Sequence, residues 1–313
     1  MIKIYEFSDH VRQVKSLSKV LQGEKIKHRC LIRYNPLYRN IDFCTEIQSF
    51  SVFMLYMSLL KCLFNNEYIL IHSAPEYQST LEKKLFFFIV KFLNPRRTTV
   101  IIRDLRSSRG NYLLNLSCKK LVENERLYAE FRDQVDGYIY PTVHIQNFIS
   151  TESKLKVRKL GIAGSFDMTR RDYSLIRKCI DILPCHFVEF TILGSNFGID
   201  KNLATEFRIN ASFNDPKFIG DDEYSARLKK VDAVLLLNRF DDYKFKGTGI
   251  IGDAYEYGKP VIVLDKRFLK HSGTYIFSID DLNHIEGRSI LKWQIYQRSY
   301  FKTILKEICG DGN

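Results

Sequence analysis

The sequence lacks the features of a membrane-spanning protein and of a disulfide-stabilised scaffold. Its seven cysteines are scattered and form no Cys-x-x-Cys pair, whereas disulfide frameworks and zinc sites need closer spacing. The most apolar stretches, residues 50–63 and 85–93, are shorter than the ~20 residues that a spanning helix needs. The opening MIKIY predicts a strand and not a secretory signal. These absences predict a cytoplasmic protein with reduced, mostly buried thiols.

The composition is that of a folded chain with an anionic partner. With 313 residues, 45% of them hydrophobic and 13% aromatic, the chain is long enough for two domains with substantial cores. Its formal net charge of +12 favours a nucleic acid, an acidic membrane surface or a phosphorylated ligand. The charge alone does not choose among these three partners.

Residues 231–265 predict a strand, a helix and a second strand. The two apolar runs, AVLLL and VIVL, have no polar alternation, which is typical of parallel strands buried on both faces. Between them, a Gly-Thr-Gly turn precedes an amphipathic segment, residues 250–257. Backbone N–H groups at such a helix N-terminus can bind a phosphate. The alternative is a tight turn whose glycines serve only the backbone conformation.

The same alternation of strand and helix patterns runs through both halves of the chain, which meet at a short polar joint, STESK. It predicts an α/β protein with two doubly wound, Rossmann-like domains facing a cleft. We expect an N-terminal domain over residues 1–152 and a second domain over residues 153–288. A last helix within residues 289–313 is expected to pack back on the first domain.

Polar residues that follow predicted strands are candidates for a site, because ligands of such sheets lie beyond the carboxyl ends of the strands. In the first half these are Ser8, Asp9, His10, His72, Ser73, Glu76, Arg103 and Asp104. Each of them can instead be only a helix cap or a turn residue.

In the second half, small residues end the predicted strands. Gly164 and Gly194 end two consecutive strands, and Arg170 and Arg171 enter the helix that follows the first of them. Arginines at this place can bind a diphosphate bidentately. The alternative is that both belong only to a solvated helix start.

The segment from Leu81 to Arg97, LEKKLFFFIVKFLNPRR, surrounds an apolar run with basic residues. This composition is typical of an element that docks in a membrane interface. A core helix with solvated ends is the alternative.

Four segments of the second half resemble a known family. In order they are IAGSF, FTILGSN, KFIGDDEYSARLKKVDAVLLL and KGTGIIGDAYEYGKPVIV. Together they are similar to the nucleotide-sugar domain of GT-B glycosyltransferases, particularly the group that includes bacterial polysaccharide and lipopolysaccharide enzymes. The resemblance covers residues 157–265, and the first half agrees with it in architecture only.

The resemblance implies a set of donor-binding residues. The family's strand-end glycine and the basic residues after it, which bind the donor diphosphate, correspond to Gly164 with Arg170 or Arg171. The short strand whose backbone contacts the nucleobase corresponds to Lys217, Phe218, Ile219 and Gly220. The glycine-rich loop corresponds to Lys246, Gly247, Thr248 and Gly249, and the acid that holds the ribose hydroxyls to Asp253.

The sequence departs from the family pattern at one position. Many retaining members have two glutamates eight positions apart, but the residue eight positions before Asp253 is Phe245. A phenylalanine cannot hydrogen-bond a sugar hydroxyl, so retention or inversion stays open.

These observations together predict a metal-independent glycosyltransferase without a cofactor. It would move a sugar from a nucleotide diphosphate sugar to a glycan or lipid-linked acceptor in bacterial surface polysaccharide biosynthesis. Arg170, Arg171, Lys246 and the loop N–H groups can stabilise the negative charge of the departing diphosphate. If the enzyme inverts, Asp9, His10 or His72 is the expected general base. A cytoplasmic location is expected, at the inner face of the membrane if the segment from Leu81 to Arg97 docks there.

Three other functions compete with this hypothesis. A sugar-nucleotide epimerase of the same architecture would use an equivalent diphosphate site. A non-catalytic regulatory or binding subunit of a polysaccharide assembly complex would keep the fold without the chemistry. Nucleic-acid binding would use the net positive charge, but the basic residues are spread through both halves and form no recognised module.

Overall fold

The computed structural model describes most of the chain. The described residues are 1–8, 10–34, 46–75, 78–106, 111–139, 158–182, 189–211, 214–216, 219–244, 249–271 and 276–281. Two compact units divide them, one before residue 140 and one after residue 157. The predicted domain boundary near residue 152 and the predicted helix within residues 289–313 lie outside the described residues and stay predictions.

The first unit is a parallel sheet of seven strands in the order β3-β2-β1-β4-β5-β6-β7. Its elements in chain order are β1 (Ile2–Glu6), α1 (Val11–Gly23), β2 (His28–Arg33), β3 (Ile47–Phe50), α2 (Val52–Lys61), β4 (Tyr68–Ser73), α3 (Thr80–Phe92), β5 (Thr98–Ile102), β6 (Lys119–Val122), α4 (Glu125–Phe131) and β7 (Gly137–Tyr138).

Helices cover both faces of this sheet because its central strands are apolar on both sides. In β1, Ile4 lies in the core under α1, and the neighbouring Tyr5 lies in the core under α2 and α3. Successive side chains of a strand point to opposite faces, so one apolar strand serves two cores.

The second unit is a parallel sheet of six strands in the order β10-β9-β8-β11-β12-β13. Its elements are β8 (Lys159–Ile162), α5 (Ser174–Ile182), β9 (Glu189–Ile192), α6 (Lys201–Glu206), β10 (Ile209–Asn210), α7 (Asp221–Lys230), β11 (Ala233–Leu236), α8 (Phe240–Tyr243), α9 (Gly249–Glu256), β12 (Val261–Val263) and β13 (Ile276–Ser278). The predicted strand, helix and strand of residues 231–265 are therefore present, with Val234 paired to Val261.

Both units confirm the predicted α/β class with two doubly wound sheets. One element prediction is wrong. The alternating pattern of the sequence predicts a helix over residues 119–134, but this segment is a strand, β6, followed by the shorter helix α4. Leu121 and Val122 are fully buried in the sheet, and Asn124 ends the strand by capping α4, accepting a hydrogen bond from Leu127 N at 2.9 Å. The short strands β3, β10 and β13 were not predicted.

Candidate functional site

Each sheet has one place where its strand order reverses. In the first unit β2 and β4 lie on opposite sides of β1, and in the second unit β9 and β11 lie on opposite sides of β8. Chain connections leave such a point in opposite directions, so a crevice opens there at the carboxyl ends of the strands, where ligands of doubly wound sheets bind. The carboxyl ends at both reversal points carry buried polar side chains.

In the second unit, the segments that follow β8 and β11 pair with each other across the reversal point. Arg171 and Asn238 form an isolated antiparallel bridge. Asp172 N donates to Leu237 O at 2.9 Å, and Arg239 N donates to Arg170 O at 3.3 Å. This pairing holds Arg171 and Asn238 side by side.

Arg171 is a buried cation. Only 5% of its surface is exposed, and one guanidinium nitrogen donates to the carbonyl of Ser165. Within the described residues, its Nε has no hydrogen-bond partner. Burial lowers the pKa of Arg171, because a low-dielectric environment disfavours the charged form. An anion at this place would satisfy both the charge and the open donor.

Asn238 is also incompletely satisfied. It is buried, and neither its side-chain nitrogen nor its side-chain oxygen has a hydrogen-bond partner among the described residues. Buried polar atoms without a partner are rare in folded proteins and often mark a ligand position. Sequence reasoning missed Asn238, although it is the first polar residue after the apolar run of β11.

Both predicted strand-end glycines lie in closely packed surroundings, and one of them makes room for Arg171. Gly164 has φ +75°, and a Cβ there would overlap the Arg171 guanidinium. A Cβ at Gly194 would overlap the backbone of Gly164 and Ser165, where Gly194 N donates to Gly164 O at 2.9 Å. Gly164 thus lies against Arg171, Gly194 lies against the backbone of Gly164, and both positions require glycine.

Arg170 lies differently from its neighbour. Its guanidinium is mostly exposed and pairs with Asp167 at 2.5 Å. Of the two arginines predicted to bind a diphosphate, the structure buries Arg171 at the reversal point and leaves Arg170 at the surface.

An open pocket of about 470 Å³ adjoins Asn238. Its charged lining residues are Asp172, Arg239, Asp241, Asp265, Lys266 and Arg267. Arg267 pairs with Asp265 at 2.6 Å and with Asp241 at 3.2 Å, and it lies 4.6 Å above the Phe240 ring centroid. The pocket therefore combines charged side chains with apolar ones and lies at the carboxyl ends of β11 and β12.

Asp253 of α9 is held by a tyrosine of α7. The Tyr224 hydroxyl donates to Asp253 Oδ2 at 3.0 Å, and Tyr224 N donates to Gly220 O at 3.1 Å. Ile219, the residue before Gly220, packs against the core. The contact joins Asp253 to the end of the segment predicted to contact a nucleobase. Sequence reasoning missed Tyr224.

Some predicted site residues lie outside the described residues: Asp9, Lys217, Phe218, Lys246, Gly247 and Thr248. Gly249 is the first residue of α9. Glu76, a further candidate, is likewise not described, and Asp104 is buried and bound by Arg106 Nε at 2.9 Å.

At the reversal point of the first unit, a buried network joins the ends of neighbouring strands. His72 Nδ1 lies 2.5 Å from Glu6 Oε2. Arg103 follows β5; its Nη2 lies 2.9 Å from His72 Nε2, its Nε donates to His72 O at 3.0 Å, and its Nη1 pairs with Glu123 after β6. Gln13 of α1 accepts a further hydrogen bond from Arg103 at 2.5 Å. Sequence reasoning missed Glu6, the only acidic residue in the apolar run of β1.

The network determines the protonation state of His72. A guanidinium can only donate, so His72 Nε2 must accept from Arg103 and Nδ1 must carry the proton that Glu6 accepts. Burial and the Arg103 charge hold the pKa of His72 well below its usual value, and burial raises the pKa of Glu6. Both ring nitrogens of His72 are occupied, which favours a positioning role for this residue over that of a general base.

His10 lies beside this network. It is half-buried immediately before α1, and its backbone N–H contacts the Glu6 carboxylate. Burial and the Arg103 charge lower its pKa to about 3, so its imidazole is neutral at physiological pH. Of the predicted bases, His10 is the described residue nearest to the surface.

Comparison with known proteins settles the fold. No family model and no curated protein matches the sequence, but solved structures match it over nearly its whole length. The pneumococcal O-GlcNAc transferase GtfA, in complex with UDP and GlcNAc, has a TM-score of 0.60 at 10% identity, covering 99% of each chain.

The chain has the GT-B fold. The lipopolysaccharide outer core galactosyltransferase WaaB matches with a TM-score of 0.56 at 11% identity over 99% of each chain. Anabaena HepE, in complex with UDP and glucose, matches with a TM-score of 0.55 at 11% identity, over 98% of this chain and 91% of its own. The GT-B fold expected from the resemblance is thus confirmed for the whole chain, including the first half.

The described residues offer neither a membrane span nor a metal site. They contain no helix that is both long and apolar enough to cross a membrane. They also contain no group of three or more His, Cys, Asp or Glu side chains arranged to hold a metal ion.

Proposed function

We propose that the protein is a glycosyltransferase whose second unit binds a nucleoside diphosphate sugar at the β8/β11 reversal point. The observation that carries the proposal is Arg171, a buried guanidinium with an open donor and no described carboxylate in ion-pairing contact. Buried charges are normally paired, and a donor diphosphate supplies the missing anion. The GT-B fold and the two similar structures that contain UDP support this assignment.

The proposed donor site has four parts. Arg171 would bind the diphosphate, next to the close-packed backbone of Gly164 and Gly194. Asp253, oriented by Tyr224, would accept hydrogen bonds from the ribose hydroxyls. The loop of residues 246–249 would contribute backbone N–H groups at the start of α9. The pocket beyond Asn238 is of a kind that suits a sugar.

The chemistry is a displacement at the anomeric carbon of the donor sugar. The bond from this carbon to the diphosphate oxygen breaks, and the diphosphate leaves with the electron pair. Arg171 stabilises the developing charge, as preorganised donors do in other transfer reactions. The acceptor hydroxyl forms the new glycosidic bond and gives its proton to a base. His10, whose ring is neutral but only weakly basic because its pKa is lowered to about 3, is the candidate among the described residues. The reaction is proposed to need no metal ion.

The proposed acceptor is a glycan or a lipid-linked saccharide of a bacterial surface polysaccharide, bound by the first unit. A lipid-linked acceptor requires that the protein reach a membrane surface from the cytoplasm. This acceptor class rests on the sequence resemblance alone.

The direct test is nucleotide binding by calorimetry, with UDP first and GDP, ADP, dTDP and CMP in turn, each with Mg²⁺ and with EDTA. Arg171→Met should lower the affinity by at least about tenfold, because a hydrogen-bonded charge contact to the diphosphate is lost. Its free energy of unfolding should not fall, because an uncompensated buried cation is removed. Arg177→Ala is the matched control, since Arg177 is an exposed arginine of α5 paired with Glu206.

Two results would contradict the proposal. Absence of binding for all five nucleotides would remove the donor site and favour a non-catalytic subunit. Conversion of one nucleotide sugar into another without acceptor would favour the epimerase. EDTA-sensitive binding would contradict metal independence but not the site.

A further inference from the structure

Two helices of the first unit have an apolar face in addition to the one that packs on the sheet. α2 buries Leu55 and Leu59 in the core, and α3 buries Phe86 and Ile89 in the same core. The outer face of a helix that covers a sheet normally carries polar side chains. The outer faces of α2 and α3 carry large apolar side chains instead.

On α3 the outer apolar residues form one stripe. Leu81, Leu85, Phe88 and Phe92 recur at spacings of four, three and four, which places them on one face of an α-helix. Their exposed fractions range from 46% to 78%. The rings of Phe88 and Phe92 contact each other with centroids 4.9 Å apart, so the stripe is continuous at its C-terminal end.

α2 extends this surface. Phe53, Met54 and Met57 of α2, and Phe64 in the turn after it, have exposed fractions from 38% to 89%. α2 and α3 are joined through Glu82, whose carboxylate pairs with Arg33 at 3.0 Å and accepts from the Tyr56 hydroxyl at 3.4 Å. Both apolar stripes therefore lie on the same side of the first unit.

The charges around this surface are positive. Lys61, Lys84, Lys91 and Arg96 are exposed on the two helices and the turn after α3. Glu82 is the only acidic residue in either helix, and it is bound to Arg33. Lysine side chains can lie along apolar surface while their ammonium groups reach a polar layer above it.

We propose that this surface, formed by the outer side chains of α2, α3 and Phe64, docks on an anionic lipid bilayer. The apolar stripes would enter the boundary between headgroups and acyl chains, and the basic side chains would contact lipid phosphates. A second copy of the chain fits less well. A two-fold interface would bring the same basic groups against each other, which costs free energy.

The test is flotation of the full-length protein with vesicles of phosphatidylcholine, with and without phosphatidylglycerol. Wild-type protein should float with the phosphatidylglycerol vesicles, and less of it should float at high salt. Phe88→Asp combined with Phe92→Asp should lower the partition coefficient by at least about tenfold. Lys84→Glu combined with Lys91→Glu should lower it by a similar factor, about tenfold.

Matched controls separate this surface from general effects. Phe197→Asp changes an exposed phenylalanine of the second unit. Lys19→Glu combined with Lys230→Glu makes the same charge change on exposed lysines of α1 and α7. Both controls should bind like wild type. The substituted side chains are exposed, so thermal unfolding should be unchanged in all variants.

Two outcomes would overturn the proposal. One is a wild-type protein that does not float with anionic vesicles, or α3 variants that float as wild type does. The other concerns sedimentation velocity without lipid. If the wild-type protein is a dimer there, and Phe88→Asp combined with Phe92→Asp makes it a monomer, the surface belongs to a second copy of the chain. Neither experiment measures nucleotide binding, so its result is independent of the proposed function.

Discussion

At the scale of single residues, Arg171 and the glycines around it depend on one another. A buried guanidinium costs free energy unless an anion compensates it, and Arg171 fits as it does only because Gly164 has no side chain. Gly194 acts one step away, because it lets the backbone of Gly164 and Ser165 pack closely. This arrangement is less stable than one with a neutral side chain at the same place, but it holds a positive charge in position before the ligand binds. The energetic cost is therefore itself an argument for a bound anion.

Replacing Gly164 tests this dependence. Gly164→Ala should lower the free energy of unfolding by about 1–3 kcal/mol, because a side chain is strained at φ +75° and overlaps Arg171. It should also abolish nucleotide binding, because Arg171 is displaced. Urea unfolding and calorimetry with UDP measure the two effects.

Gly198→Ala is the matched control for this substitution. Gly198 has a similar φ, +81°, but a Cβ there has no neighbour within 4 Å among the described residues. This variant should lose about 1 kcal/mol from strain alone and should keep its nucleotide affinity. Equal loss of affinity in both variants would show that the contact with Arg171 is irrelevant to binding.

At the scale of elements, α7 and α9 are joined by two tyrosine hydroxyls. Tyr224 of α7 donates to Asp253 of α9 at 3.0 Å. Tyr257, which follows α9, donates to Ser225 of α7 at 2.8 Å. Only the Tyr224 hydroxyl contacts a residue that is proposed to bind the ligand. Tyr257 can therefore serve as the control for Tyr224 within the same helix interface.

Removal of the Tyr224 hydroxyl should weaken ribose recognition. Tyr224→Phe should reduce the preference for UDP over 2′,3′-dideoxy-UDP by roughly three- to tenfold, the value of about one hydrogen bond. Tyr257→Phe should leave the preference unchanged. Calorimetric affinities for both nucleotides give the ratio. A wild-type protein that binds the two nucleotides equally would contradict the assignment of Asp253 to the ribose.

The wrongly predicted element shows what periodicity leaves undecided. LVEN at residues 121–124 continues into a helical pattern, and a short apolar run fits a buried strand as well as a helix. The position of β6 between β5 and β7 buries Leu121 and Val122, and hydrogen bonds to two neighbouring strands decide the conformation.

At the scale of the whole molecule, the two sheets use their reversal points differently. The second unit keeps a cation there that no described carboxylate contacts as an ion pair, whereas the first unit surrounds Arg103 with Glu123, Gln13 and His72. The first network is internally satisfied, so it stabilises its own unit and positions His10 rather than offering an open charge.

This network should make the stability of the first unit depend on pH. The pKa of His72 is lowered in the folded state, so below about pH 6.5 the unfolded chain binds a proton that the folded state does not. The folded first unit therefore has its full stability above this pH, and its free energy of unfolding decreases as the pH falls below it. From pH 7.5 to 5.5, one such histidine lowers the free energy of unfolding by about 1.4 kcal/mol. His10 acts in the same direction. Glu6, whose pKa is raised, opposes both.

Amide hydrogen exchange in β1 and β4 measures this effect, because a chain of two units need not unfold in one step. His72→Gln should be less stable at both pH values, but its loss of stability between pH 7.5 and 5.5 should be smaller than that of wild type. An equal loss in wild type and variant would mean that His72 titrates normally in the folded protein.

Sequence reasoning alone yielded the fold class, most of the strands and helices, and the placement of Gly164 and Gly194 at the ends of strands. These features depend on short-range periodicity and on glycines next to apolar runs, which are local properties of the chain. Sequence reasoning placed Arg171 at the start of the next helix, whereas the structure has it in a bridge to Asn238, before α5 begins at Ser174. Only the tertiary structure distinguished Arg171 from Arg170, and only it identified Asn238, Tyr224 and Glu6. Their surroundings come from strands and helices far apart in sequence, and burial, which decides whether a polar group needs a partner, is a property of the packed sheet.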